Sequence, residues 1–100
     1  MVGFLVEYTI HNDDNDIIRN IVEDTLLENG FDVCEGTTLY YKEYNNIRKI
    51  GIINNLDNIC SNKRKELLQL IKNNAKKNDI YNISENAELQ VFAIVGGSGY

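Results

Sequence analysis

The densest run of side chains able to do chemistry is His11-Asn12-Asp13-Asp14-Asn15-Asp16, followed by Glu23, Asp24 and Glu28. Carboxylates packed this closely suit a hard cation, which takes oxygen ligands. Asn12, Asp14, Asp16 and Glu23 stand at the first, third, fifth and twelfth places of a calcium loop, but Ile17 occupies the place where that loop turns on glycine. Magnesium is the other metal reading. Against both stands helix capping, since acids in a first turn favour the positive end of the helix dipole. A third reading needs no cofactor. In it Asp13, Asp14, Asp16, Glu23, Asp24 and Glu28 form an acidic partner-binding surface that imitates phosphates toward a basic protein. His11 is the sole histidine, at a strand end. Cys34 lies beside Glu35 with no base nearby in sequence. Gly96-Gly97-Ser98-Gly99 precedes no helix, so it cannot cradle phosphate as a P-loop does. No residue is assigned a catalytic role, and whether the chain is an enzyme stays open.

The elements that must position these groups follow from periodicity. Val2–Ile10 alternates as a strand, with Val2, Phe4, Val6, Tyr8 and Ile10 on one face. Asp13 or Asp14 caps a helix running to about Asn29, whose buried stripe is Ile17, Ile18, Ile21, Val22, Thr25 and Leu26. Asn29-Gly30 closes it, with Gly30 left-handed. A hairpin then spans Thr37 to Asn54, turning at Asn45-Asn46 and pairing Tyr41 with Ile50 and Tyr40 with Gly51. Phe31 and Val33 plug the end of the sheet. A second helix covers Lys63 to about Lys77, and caps for it are offered by Asp57, Asn58, Ser61 and Asn62. Ile80, Tyr81 and Ile83 tuck beneath the helices. The last strand is Glu88–Val95, and residues 96–100 form a flexible tail behind a single domain of residues 1–95.

The order β-α-β-β-α-β gives an α+β fold: a ferredoxin-like two-layer sandwich with antiparallel strand order 4-1-3-2 and both helices on one face. With Leu39, Tyr41, Phe4 and Val6 toward the helices, the other face displays Leu5, Tyr40, Tyr44, Ile47, Ile53, Phe92 and Ile94. So large an apolar set marks an interface, and a homodimer through this face is expected. The tail or the 78–86 loop folding across it is the alternative. Stacking of RNA bases is disfavoured because Gly51 would hold the central third-strand position.

The residues Gly30-Phe31 and Gly36-Thr37-Thr38-Leu39-Tyr40, behind a strand and a helix, resemble the virulence-associated protein D family and the wider group of small ferredoxin-like CRISPR adaptation endonucleases. The likeness spans residues 2–44. It implies dimers built around the sheets and metal-dependent cleavage of RNA or DNA. Those families carry an aspartate at the end of the first strand. Tyr8-Thr9-Ile10-His11 holds no carboxylate there, so an endoribonuclease reading assigns the metal to Glu7, Asp13 or Asp14.

Length and charge bound the rest. One hundred residues, 43% hydrophobic and 25% charged, make one foldable domain. Two cysteines supply no disulfide framework and fit a reduced, cytoplasmic setting. No apolar run reaches the length of a membrane span. Net charge is −5, unevenly placed: residues 1–46 hold ten acids and two bases, residues 47–100 five acids and eight bases. The acidic half argues against direct nucleic-acid binding. The leading expectation is a small non-enzymatic interaction protein, an inhibitor or accessory factor from a mobile element, that binds a nucleic-acid-handling machine through acidic surface. The endoribonuclease is the alternative.

Overall fold

Strict alternation makes Val2–Ile10 a strand (β1), and the computed structural model, which describes residues 2–43 and 56–95, shows it with the expected bounds. A 3-10 turn, Asp14–Asp16, leads into α1, Ile17–Glu28. Two short strands follow, β2 at Asp32–Val33 and β3 at Leu39–Glu43. Then come α2, Leu56–Lys77, a 3-10 turn at Ile83–Glu85, and β4, Ala87–Val95. The described elements form an α+β sandwich with one antiparallel four-stranded sheet. Its order is β2-β3-β1-β4, which counted from the other edge is 4-1-3-2.

The segments that fill the second and third places differ from expectation. Leu39–Glu43 is the central third strand, paired to β1, and its hairpin partner is Asp32–Val33. The turn lies at 34–38, closed by Cys34 N donating to Leu39 O (2.8 Å) and by Thr37 Oγ1 donating to Cys34 O (2.6 Å), with Gly36 at φ +75°. The expected turn at Asn45-Asn46, the strand after it and the tail lie outside the described residues. Helix α2 begins seven residues before Lys63, so Asp57, Asn58, Ser61 and Asn62 lie within it.

One face of the sheet meets both helices. Phe4, Val6, Tyr8, Tyr40, Ala87 and Leu89 are buried against Ile18, Ile21, Val22 and Leu26 of α1 and Leu67, Ile71 and Ala75 of α2. Burial of each large apolar side chain in this cluster contributes about 1.5–3 kcal/mol before the entropy of folding is set against it. Ile17 departs from the expected stripe and is 48% exposed. Ile83 is buried and Ile80 packs on the core, but Tyr81 is 70% exposed. That loop therefore joins the helix layer and leaves the other side of the sheet alone.

Asn74 of α2 ties the two helices together, its Nδ2 donating to Thr25 Oγ1 (2.7 Å) and also reaching Glu28 Oε2 at 3.4 Å. Thr25 Oγ1 donates to Ile21 O (2.7 Å), so the buried hydroxyl is satisfied. Among the described residues no helix is long and apolar enough to cross a membrane.

Candidate functional site

Asp13 sits where the chain winds into α1. Its Oδ1 accepts from Ile18 N (2.8 Å) and its Oδ2 from Arg19 N (3.0 Å), so both oxygens cap the helix. The cap reaches across five residues because Asn15 and Asp16 both take positive φ (60° and 58°) and coil the intervening turn. Glu23 is also engaged, accepting from Tyr40 Oη at 2.8 Å. Asp14, Asp16, Asp24 and Glu28 remain exposed, but they do not form one patch. Asp14 and Asp16 lie at the start of α1, with Asp16 3.7 Å from Arg19 Nε. Asp24 and Glu28 border a cleft of about 220 Å³ between the helices, opposite Asn74 and Lys77. The six acids taken as one partner-binding surface are thus divided between capping, a core-side hydrogen bond and two separate ends of α1.

The metal readings fare no better. Glu7 lies on β1 between Leu39 and Gln90, on the sheet side away from the helices, whereas Asp13 spends its carboxylate on backbone amides. Among the described residues no three His, Cys, Asp or Glu side chains come together to hold a metal ion. Glu7, Asp13 and Asp14 therefore do not fit a magnesium site, and the calcium-loop spacing is dissolved by the left-handed turn and by the bond from Tyr40 to Glu23. His11 Nε2 stands 3.8 Å from Glu88 Oε1, while its backbone is tied to Asn86.

Beneath α1 two tyrosines face each other, Tyr8 and Tyr40, with ring centroids 6.0 Å apart. Arg19 donates to Tyr8 Oη at 3.3 Å. Burial, and then the Glu23 carboxylate, push both phenols above their ordinary range. This cluster joins sheet to helix. Burial likewise pushes the Cys60 thiol up, beside the Ala93 backbone, which is the reverse of an activated nucleophile. Four residues on, Arg64 Nε donates to Leu89 O at 2.8 Å. Helix α2 thereby covers the Leu89 carbonyl of the edge strand β4.

The far side of the sheet is where the side chains converge. Directly paired residues share a face, and Leu5 pairs with Tyr41 on one side and Phe92 on the other. Leu5, Tyr41 and Phe92 therefore lie in one row, with Phe92 47% exposed. Ile94 and Glu43 flank Gly3 in the next row, where a Cβ would collide with the Lys42 carbonyl oxygen. Glu7 lies between Leu39 and Gln90, Asp32 beyond Tyr41, and Glu88 opposite Thr9. Leu5, Phe92 and Ile94 are thus on the face foreseen for them. Tyr40 is not: it pairs with Val6, points to the helices and is 3% exposed. Leu39 and Tyr41 take the open face instead. Tyr44, Ile47 and Ile53 lie outside the described residues. The row was missed because Tyr40 and Tyr41 are alike, so alternation alone could not orient the strand. The Glu35-Gly36-Thr37 turn was the signal that would have set it. Comparison with protein-family models, with curated proteins and with solved structures gives no match for this chain.

Proposed function

We propose that this chain is a non-enzymatic protein-binding domain of ferredoxin-like topology, which engages the basic surface of a nucleic-acid-handling protein. The observation that supports it is the uncompensated acid of residues 2–43. The two bases in that stretch are engaged: Lys42 Nζ donates to Asn29 O at 2.7 Å, and Arg19, with its side chain 40% exposed, donates to Tyr8 Oη and neighbours Asp16. What the described surface of this half offers a partner is therefore mainly carboxylate, with Arg19 a part-exposed base among its described residues, around a centre of apolar side chains. Carboxylates set in this way repel phosphates and attract the lysines and arginines that bind phosphates. The test is binding to a panel of nucleic-acid-binding proteins from the cell that makes the chain, with and without DNA or RNA as competitor. Binding that nucleic acid displaces is expected, since both ligands would address one basic surface. Failure to bind any member, or metal-dependent cleavage of RNA by the pure protein, would retire the reading.

A further inference from the structure

We infer that the open face of the sheet is the docking surface, and that its occupant is a protein segment carrying an apolar anchor flanked by lysine or arginine. The inference deepens the proposed function and rests on it. It names the face, where the acidic end of α1 was the sequence expectation.

The centre of the face is apolar. Leu5 is bracketed by Tyr41 and Phe92, and in the next row Ile94 continues the apolar surface beside Gly3, over which the Lys42 carbonyl closes. Rigid aromatic rings at such a centre are what interface hot spots are built from. The margin is acidic on both sides. Asp32 and Glu43 lie toward the β2–β3 edge, and Glu7 and Glu88 toward the far end of β1. Among the described strand residues no lysine or arginine faces this side, because Lys42 alternates to the helix side and reaches the Asn29 carbonyl.

That charge pattern chooses among occupants. Covering the row with a purely apolar surface would strip water from four carboxylates and return nothing to them, which costs more than the burial gains. A second copy packed face to face brings the same carboxylates against their own kind. Single-stranded RNA could stack on Tyr41 and Phe92, but its phosphates meet only acid. A basic-flanked anchor satisfies both centre and margin.

The experiment uses short synthetic peptides in which leucine alternates with lysine, glutamine or glutamate. Each carries one tryptophan, since the chain itself has none. The lysine peptide is expected to bind about tenfold or more tighter than the glutamine peptide, and the glutamate peptide not at all. Glu7→Gln/Glu43→Gln/Glu88→Gln brings the lysine peptide down to the level of the glutamine one, and Phe92→Ser weakens both. Glu7→Lys/Glu43→Lys/Glu88→Lys transfers the preference to the glutamate peptide. Equal binding of lysine and glutamine peptides overturns the inference. So does a dimer at low ionic strength that Phe92→Glu splits, or RNA that binds this face. Lysine-peptide binding that ignores the sheet variants but is lost in Asp14→Asn/Asp16→Asn/Asp24→Asn/Glu28→Gln moves the site to α1 and leaves the proposed function standing. No lysine-peptide binding at all would end both.

Discussion

Two neighbouring aspartates illustrate how far a residue's type falls short of its role. Asp13 and Asp14 are alike in sequence, but only Asp13 places its carboxylate over the first free amides of α1. Asp13→Ala is expected to cost about 1 kcal/mol of stability, the usual loss for a helix cap, and Asp14→Ala less than about 0.5 kcal/mol. Urea unfolding of the two variants measures the difference, and equal losses would deny the cap. Tyr40 gives a second test at this scale. Its folded phenol ionises well above its ordinary range because it is buried and faces Glu23. The unfolded phenol ionises near pH ~10. Stability from this group is therefore complete below about pH 10 and lost as pH rises further, because the unfolded chain releases the proton first. Tyr40→Phe should lower stability at neutral pH by about 0.5–1.5 kcal/mol, for the lost hydrogen bond to Glu23. It should also make the alkaline decline shallower, with Tyr8 supplying what remains. Urea midpoints across the alkaline range report it, and an unchanged slope in the variant would exclude Tyr40 as its source.

At the scale of elements, both helices end the same way with different residues. After α1, Phe31 N donates to Leu26 O (3.0 Å) and Gly30 N to Leu27 O (3.1 Å), with Gly30 at φ +85° and Phe31 buried beside Leu26. After α2, Ile80 N donates to Ala75 O (2.9 Å) and Asp79 N to Lys76 O (3.1 Å), with Asp79 at φ +60°. A left-handed residue in that place is glycine by preference, since a Cβ is strained there. Asp79→Gly should therefore stabilise the domain by up to about 1 kcal/mol, read as a rise in melting temperature. A fall would mean that the Asp79 side chain contributes more than its backbone strain costs. Elements with one clear period were legible in sequence: β1, the body of α1 with its glycine end, and β4. The hairpin was not, because two turn sites compete and Leu39-Tyr40-Tyr41 reads equally well on either face. What orients it is tertiary, namely the reach of Tyr40 Oη to Glu23 and of Lys42 Nζ to the last turn of α1. The early start of α2 was hidden by cap-like residues lying inside the helix, although Ile59 and Cys60 lie on the same apolar face as Leu67 and Leu68 two turns on. The site suffered most, since one register change exchanged Tyr40 for Tyr41 and made the open face's margin acidic.

At the scale of the whole molecule, the charge of the described residues is unevenly placed. Lys65, Lys72 and Lys76 lie exposed along α2, while the open face of the sheet carries Asp32, Glu43, Glu7 and Glu88 around its apolar row. Two forces then act on any pair of copies that meet sheet to sheet. Contact of the apolar rows attracts at all ionic strengths. Repulsion between the carboxylate rings reaches about 10 Å in 0.1 M salt but only about 3 Å in 1 M. The balance must shift with salt in one direction. At low ionic strength the chain should run as a monomer, and light scattering should show its mass rising as sodium chloride is added toward about 1 M. Glu7→Gln/Glu43→Gln/Glu88→Gln should self-associate already at low salt, and Phe92→Ser at neither. Capture of a lysine-rich partner should change the opposite way, slowing as salt rises because steering is screened. A wild-type mass that falls with added salt would show copies joined by contacts between acid and base. The bases of α2 would then be the natural counterpart of the open face, and the sheet would be occupied from within the population of this chain.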